Sequence, residues 1–87
     1  MFLCEVALGN MYERTSCEYI TELPSGKHST KGLGTQTPED SNIELDGIKV
    51  PIGKLVNSNI TSSLNYDEFI VYDHTQVKLK YIVLVEV

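Results

Sequence analysis

Two runs of alternating apolar residues in the last quarter of the chain constrain its fold most strongly. They span residues 68–72 and 76–85, and the polar residues Asp73, His74 and Thr75 separate them. Alternation with a period of two is typical of β-strands, because successive side chains point to opposite faces of a sheet. A short polar turn between two such runs indicates an antiparallel hairpin. We therefore predict a hairpin over residues 68–85, with one face of its second strand buried.

Other segments also carry strand patterns. Residues 2–8 are apolar on both faces, which predicts a mostly buried strand. Asp46 and Gly47 lie between two short alternating runs, the pattern of a two-residue type I′ hairpin turn, and Pro51 then indicates an edge strand. Connecting loops are predicted at residues 11–23, 35–42 and 54–63. The fold class that we predict for this chain is mostly antiparallel β.

Two closely spaced glycines mark a further segment. Residues 27–34 are small or polar and include Gly32 and Gly34. Glycines in such a setting indicate that another part of the backbone approaches closely, because no side chain stands in the way. We expect this segment to lie directly against a neighbouring segment.

Length and charge limit the classes of function. A chain of 87 residues forms one domain at most and buries only about 60–65% of its unfolded surface. Twelve acidic residues against seven basic ones give a net charge of −5, which argues against direct nucleic-acid contact. No apolar run is long enough to span a membrane, and free thiols are expected at Cys4 and Cys17. The chain begins and ends within strand-like runs, so we expect residues 1–87 to be part of a larger domain.

The familiar cofactor and metal motifs are not matched. Gly26 and Lys27 are followed by His28 rather than by the Ser or Thr of a phosphate-binding loop. A faint calcium-loop pattern begins at Asp40, but its sixth position is Leu45, where the turn requires glycine. The cysteines and histidines are too dispersed for a recognisable zinc pattern. We therefore predict no metal site.

Glu68 stands out because a charged residue begins a strand that is otherwise apolar on both faces. The ordinary explanation is a carboxylate at a strand end that points to solvent or pairs with a lysine. Periodicity alone favours that explanation over a functional one. The surrounding sequence reverses this preference.

Four blocks of sequence carry a resemblance to a known family. They are residues 3–9 (LCEVALG), 26–34 (GKHSTKGLG), 45–53 (LDGIKVPIG) and 65–73 (NYDEFIVYD). In this order they resemble the catalytic domain of poly(ADP-ribose) polymerases, and they are closest to the DNA-damage-responsive members. The resemblance covers essentially the whole chain.

The resemblance implies an α+β domain with a split β-sheet that binds NAD⁺ as a substrate and transfers ADP-ribose to a protein or to a growing ADP-ribose chain. It implies that Glu68 is the catalytic residue and contacts NAD⁺. A fixed carboxylate that holds the ribose 2′-hydroxyl stabilises the positive charge that develops as the nicotinamide bond breaks, and it can also orient or deprotonate an acceptor hydroxyl. Tyr66 and Asn65 are then expected on the acceptor side.

The departures from the family pattern are equally specific. The family's NAD⁺-clamping histidine, which is followed by glycine, and its nicotinamide-stacking tyrosine lie upstream of anything in this sequence. Asp67 stands where the closest members commonly have asparagine, and Phe69 stands where they have tyrosine. We therefore expect residues 1–87 to be the C-terminal portion of an incomplete catalytic domain. It should be inactive without the missing N-terminal half.

Two alternatives remain beside this interpretation. One is a truncated, non-enzymatic remnant that pairs through exposed sheet edges with a partner or with itself. The other is a small β-rich interaction module with no link to NAD⁺, which would make the four matched blocks accidental. The family resemblance implies a nuclear location and a role in the DNA-damage response, with the cytoplasm as the alternative compartment.

Overall fold

The computed structural model describes residues 1–86, which form short strands and one 3₁₀ helix at His74–Gln76. The strands are β1 Phe2–Val6, β2 Met11–Arg14, β3 Ser29–Gly32, β4 Gln36–Pro38, β5 Asn42–Leu45, β6 Ile48–Pro51, β7 Leu55–Asn57, β8 Glu68–Val71 and β9 Val77–Ile82. None of these elements is longer than six residues. No helix within residues 1–86 has the length and hydrophobicity needed to cross a bilayer.

The strands form four small sheets. A three-stranded sheet has the order β2-β3-β8, and the pairs β1-β9, β4-β7 and β5-β6 form two-stranded sheets. Among the named strand pairs of residues 1–86, β2 and β3 pair in parallel and the others pair antiparallel; an isolated parallel bridge also joins Gln36 and Tyr66. The prediction of a mostly antiparallel β structure is confirmed.

The turn at Asp46 and Gly47 confirms the predicted hairpin. β5 and β6 pair antiparallel, with Leu45 opposite Ile48. Asp46 has φ of 52° and Gly47 has φ of 79°, the two positive values that a type I′ turn requires. This element forms as predicted because residues adjacent in sequence determine it.

The predicted hairpin over residues 68–85 is wrong. β8 pairs with β3, so that Glu68 lies opposite Gly32, whereas β9 pairs with β1, with Phe2 opposite Ile82. The two strands adjoin in sequence but belong to different sheets. Each finds its partner far away in the chain.

A capped 3₁₀ helix between the two strands explains their separation. The Asp73 carboxylate accepts a hydrogen bond from the Thr75 amide, and the Gln76 side-chain oxygen accepts one from the Asp73 amide. The Gln76 Nε2 donates to the carbonyl oxygens of Ala7, at 3.1 Å, and His28, at 2.9 Å. Ala7 follows β1 and His28 precedes β3, so Gln76 joins the two sheets at the point where β8 and β9 diverge.

The segments predicted as loops contain short strands. β2 lies within residues 11–23, β4 within residues 35–42 and β7 within residues 54–63. Their sequences carry no clear alternation, because strands of three or four residues are stabilised by pairing with distant segments rather than by a continuous apolar face. The loop predictions are wrong at these three places.

The predicted burial of β1 and of one face of β9 is also wrong. Phe2 is 62% exposed and Leu79, on the face of β9 that was predicted to be buried, is 63% exposed, and within residues 1–86 no large apolar side chain is fully buried. The accessible surface is 6903 Å², against about 5,100 Å² expected for a folded protein of 9.7 kDa. Part of the β1-β9 sheet, at Leu3 and Tyr81, lines a pocket together with the β5-β6 hairpin, and the other large apolar side chains of β1 and β9 face solvent.

Candidate functional site

The central strand β3 is the most buried element of the described chain, although its sequence, Ser-Thr-Lys-Gly, has no apolar pattern. β2 and β8 pair with its two edges. The Ser29 hydroxyl donates to the Leu8 carbonyl at 2.7 Å, and the Thr30 hydroxyl shares a 2.7 Å hydrogen bond with the Tyr72 hydroxyl. These bonds satisfy the polar groups that burial removes from water.

Glu68 is the first residue of β8 and lies opposite Gly32 of β3. A Cβ at Gly32 would lie 2.7 Å from Cδ1 of Leu64, so a larger residue at this position would require the Leu64 side chain to move. The Glu68 side chain is exposed, and no residue within 1–86 forms a hydrogen bond or ion pair with its carboxylate. The strand end therefore holds the Glu68 backbone firmly and leaves both carboxylate oxygens available.

The segment that leads into Glu68 is fixed by backbone hydrogen bonds. The Thr35 amide donates to the Leu64 carbonyl at 2.9 Å, and the Gln36 amide donates to the Asn65 carbonyl at 3.0 Å. Further back, the Ser62 hydroxyl donates to the carbonyl of Leu33. Residues 62–67 thus lie against residues 33–36 as an additional extended segment.

Gly34 is the point of closest approach between these two segments. A Cβ at this residue would overlap the Tyr66 backbone, so only glycine fits. The Gly34 amide donates to the Asp67 Oδ1 at 2.9 Å, and the Thr37 hydroxyl donates to the Asp67 Oδ2 at 2.6 Å. The prediction that the Gly32 and Gly34 segment lies against another segment is confirmed. The role of Asp67 as its anchor was missed, although the paired glycines are a signal for a close neighbour.

The predicted acceptor-side residues lie next to Glu68. Tyr66 is 53% exposed, and the Asn65 side chain is also exposed. Side chains alternate along extended backbone, so Tyr66 and Glu68 share one side of the segment and Asp67 occupies the other. Both Tyr66 and Glu68 are exposed, and alternation gives them the same side of the segment, with Asn65 directly before Tyr66.

Phe69 and Lys31 pair on the opposite face of the same two strands. They are register partners in β8 and β3, and the Lys31 ammonium lies 5.6 Å from the centre of the Phe69 ring. A cation at this distance is attracted by the electron-rich face of the ring. This contact adds to the pairing that holds β8 in place.

The charged groups whose pKa values are shifted lie outside the segment around Glu68. Hydrogen bonding to Glu18 raises the pKa of Arg14, and the hydrogen bond from Arg14 lowers the pKa of Glu18; their ion pair is 2.8 Å long. The hydrogen bond from the Thr75 amide lowers the pKa of Asp73. Exposed pairs of this kind add little stability. Among residues 1–86 no cluster of three potential metal ligands occurs.

Comparison with known proteins identifies the family. The model of the poly(ADP-ribose) polymerase catalytic domain matches residues 1–87. The chain belongs to this family. The chain is 54% identical over 84 residues to poly [ADP-ribose] polymerase 1 of Xenopus laevis, covering 94% of this chain and 8% of the relative. It is 51% identical over 84 residues to the Danio rerio protein of the same name, with the same coverage of 94% and 8%.

A plant relative is nearly as similar. Poly [ADP-ribose] polymerase 1 of Arabidopsis thaliana is 48% identical over 88 residues, which cover 98% of this chain and 9% of the relative. The chain therefore spans less than a tenth of the length of these three relatives. The family resemblance of the four sequence blocks is confirmed.

Proposed function

We propose that this chain supplies the catalytic-glutamate portion of an NAD⁺-dependent ADP-ribosyltransferase that builds poly(ADP-ribose). The observation that carries the proposal is the exposed and unpaired carboxylate of Glu68 at the rigid start of β8. It occurs in a chain whose whole length matches the polymerase catalytic domain. A side chain mounted on a paired strand end keeps its position better than one on a free loop.

Glu68 has two roles in the proposed reaction. Nicotinamide leaves with the electron pair of its bond to the ribose, and the Glu68 carboxylate accepts a hydrogen bond from the ribose 2′-hydroxyl and stabilises the developing positive charge. The acceptor oxygen then bonds to the ribose carbon, and the same carboxylate orients or takes the acceptor's proton. Tyr66 and Asn65 contact the incoming acceptor, which is a protein side chain or the end of an ADP-ribose chain. No metal takes part.

The remaining NAD⁺ contacts come from a preceding part of the catalytic domain. The family's histidine-glycine motif does not occur in this sequence, since His28 is followed by Ser29 and His74 by Thr75. The same preceding part covers the exposed apolar faces of β1 and β9. The 87-residue chain alone is therefore inactive, and the complete protein acts in the nucleus in the response to DNA damage.

A chimera tests this proposal. The chimera is the Xenopus laevis relative in which this chain replaces the 84 matched residues. Transfer of labelled ADP-ribose from NAD⁺ is measured for the isolated chain, the chimera and the chimera with Glu68→Gln, together with the length of the product. The matched control is Glu44→Gln, which changes an exposed glutamate of β5.

We expect no transfer by the isolated chain and polymer formation by the chimera. Glu68→Gln should lower the rate by roughly a hundredfold to a thousandfold, because one electrostatic element of the transition state is removed. Glu44→Gln should leave the rate unchanged. A Glu68→Gln chimera as active as the parent would refute the assignment.

A second candidate function rests on the open edges of the β1-β9 sheet. Neither strand has another partner within residues 1–86, and both carry exposed apolar side chains. A truncated remnant could use these edges to pair with a partner or with a second copy. A folded but inactive chimera, together with dimers of the isolated chain in sedimentation, would favour this candidate.

A further inference from the structure

Asp67 lies between Tyr66 and Glu68, to which the proposed function gives roles, and its own side chain lies on the opposite side of the segment. Alternation along the extended segment places Tyr66 and Glu68 on one exposed side. The carboxylate of Asp67 is half-buried on the opposite side, where both of its oxygens accept hydrogen bonds. An anchor at the middle residue of such a triplet fixes the direction of its two neighbours.

The two hydrogen bonds come from different parts of the chain. Gly34 lies in the connection between β3 and β4, and its amide reaches Asp67 Oδ1 at 2.9 Å. Thr37 lies in β4, and its hydroxyl reaches Asp67 Oδ2 at 2.6 Å. Thr37 is itself held opposite Val56 by the pairing of β4 with β7. The anchor therefore ties the start of β8 to a second sheet.

We propose that Asp67 is a positioning residue that holds Glu68 and Tyr66 at the angle needed for transfer to the acceptor; this inference rests on the proposed function. A displacement of about 1 Å at a reacting group lowers a rate by as much as about a hundredfold. Without the Asp67 anchor, the start of β8 keeps its pairing with β3 and the backbone hydrogen bonds at Leu64 and Asn65, but it loses its side-chain tie to β4. The substrate-binding contacts outside this segment stay in place.

The variants are chosen to remove or keep the two hydrogen bonds that Asp67 accepts. In Asp67→Asn, the amide side chain keeps one oxygen to accept from the Gly34 amide and gains an NH₂ group that donates to the Thr37 hydroxyl. Asp67→Ala loses both bonds, and Thr37→Val loses one bond at nearly constant shape. Asp40→Ala is the control, because Asp40 is exposed and bonds only to the nearby Asn42 side chain.

The test measures kcat and KM for NAD⁺ in the chimera, with hydrogen exchange of residues 33–37 as a second readout. Asp67→Ala should lower kcat by roughly ten- to a hundredfold with KM changed by less than about threefold. It should also speed exchange at the Gly34 amide. Thr37→Val should be intermediate, and Asp67→Asn and Asp40→Ala should stay within about threefold of the parent.

Several outcomes overturn the inference while leaving the proposed function intact. One is a parent-like kcat in Asp67→Ala, another is an Asp67→Asn variant as impaired as Asp67→Ala, and a third is an effect confined to KM. In each case Glu68→Gln still lowers the rate as expected. If Asp67→Ala does not fold, Thr37→Val and Asp67→Asn decide the question. A Glu68→Gln chimera as active as the parent overturns the proposed function instead, and the role of Asp67 falls with it.

Discussion

The exposed apolar side chains of β9 lead to a prediction that changes with context. Ile82, at the end of the strand, is 76% exposed in this chain. Under the proposed function, a preceding part of the catalytic domain covers this residue. Ile82→Ser should therefore be nearly harmless in the isolated chain and damaging in the chimera.

The magnitudes follow from the exposed fraction. Full burial of an isoleucine side chain stabilises a protein by about 1.5–3 kcal/mol, and only about a quarter of that burial is present in the isolated chain. The substitution should cost the isolated chain about 0.5 kcal/mol. In the chimera it should cost about 2–3 kcal/mol, which corresponds to a fall of about 4–12 °C in the temperature of half-inactivation.

Two assays check this prediction. Urea unfolding and binding of a dye specific for apolar surface are measured on the isolated chain, and residual transfer activity after heating is measured on the chimera. Dye binding by the isolated chain should fall with Ile82→Ser, because part of the exposed surface is removed. Small and equal effects in both contexts would show that Ile82 stays uncovered in the complete domain, and the reasoning would be wrong.

Two further predictions concern backbone geometry and acid sensitivity. Gly34→Ala should abolish transfer by the chimera, because the new Cβ meets the Tyr66 backbone. The control Gly47→Asn lies in an open turn and should keep full activity. Equal transfer rates for the two variants would contradict the close approach at Gly34. The hydrogen bond from the Thr75 amide lowers the pKa of Asp73 in the folded chain, so the folded chain binds fewer protons than the unfolded chain in this pH range. The Asp73 carboxylate therefore stabilises the fold above its unfolded-state pKa, and this stabilisation is lost as the pH falls through its folded-state pKa. Asp73→Asn should flatten the loss of stability on acidification in urea unfolding, and an unchanged slope would exclude this cause.

The sequence predicts local structure well and long-range pairing poorly. The turn at Asp46 and Gly47 is encoded by two residues with a strong conformational preference, and it forms as expected. The pairing of β8 with β3 depends instead on residues some forty positions away. The short segment between β8 and β9 has the composition of a hairpin turn, but it forms a capped 3₁₀ helix whose Gln76 side chain bonds to Ala7 and His28, and the two strands pair elsewhere.

In the candidate site, too, the sequence predicts the local features and misses the long-range contacts. Periodicity identifies Glu68 as an unusual residue, and the family resemblance gives it a role, but neither reveals what supports it. β3 could not be recognised as the central strand, because its burial comes from small polar side chains rather than from an apolar pattern. The hydrogen bonds of Asp67 involve Gly34 and Thr37, and no periodicity relates residues so far apart in sequence.

The burial of polar rather than apolar side chains in this chain affects its heat capacity of unfolding. Ser29 and Thr30 are its most buried side chains within residues 1–86, while large apolar side chains already face water. The heat capacity of unfolding comes mainly from newly exposed apolar surface and would ordinarily be about 1.0–1.3 kcal/mol/K for 87 residues. It should be clearly smaller here. The free energy of unfolding of the isolated chain should accordingly vary little with temperature. The chain should unfold over a broad temperature range, because hydrogen bonds around a polar centre hold it together.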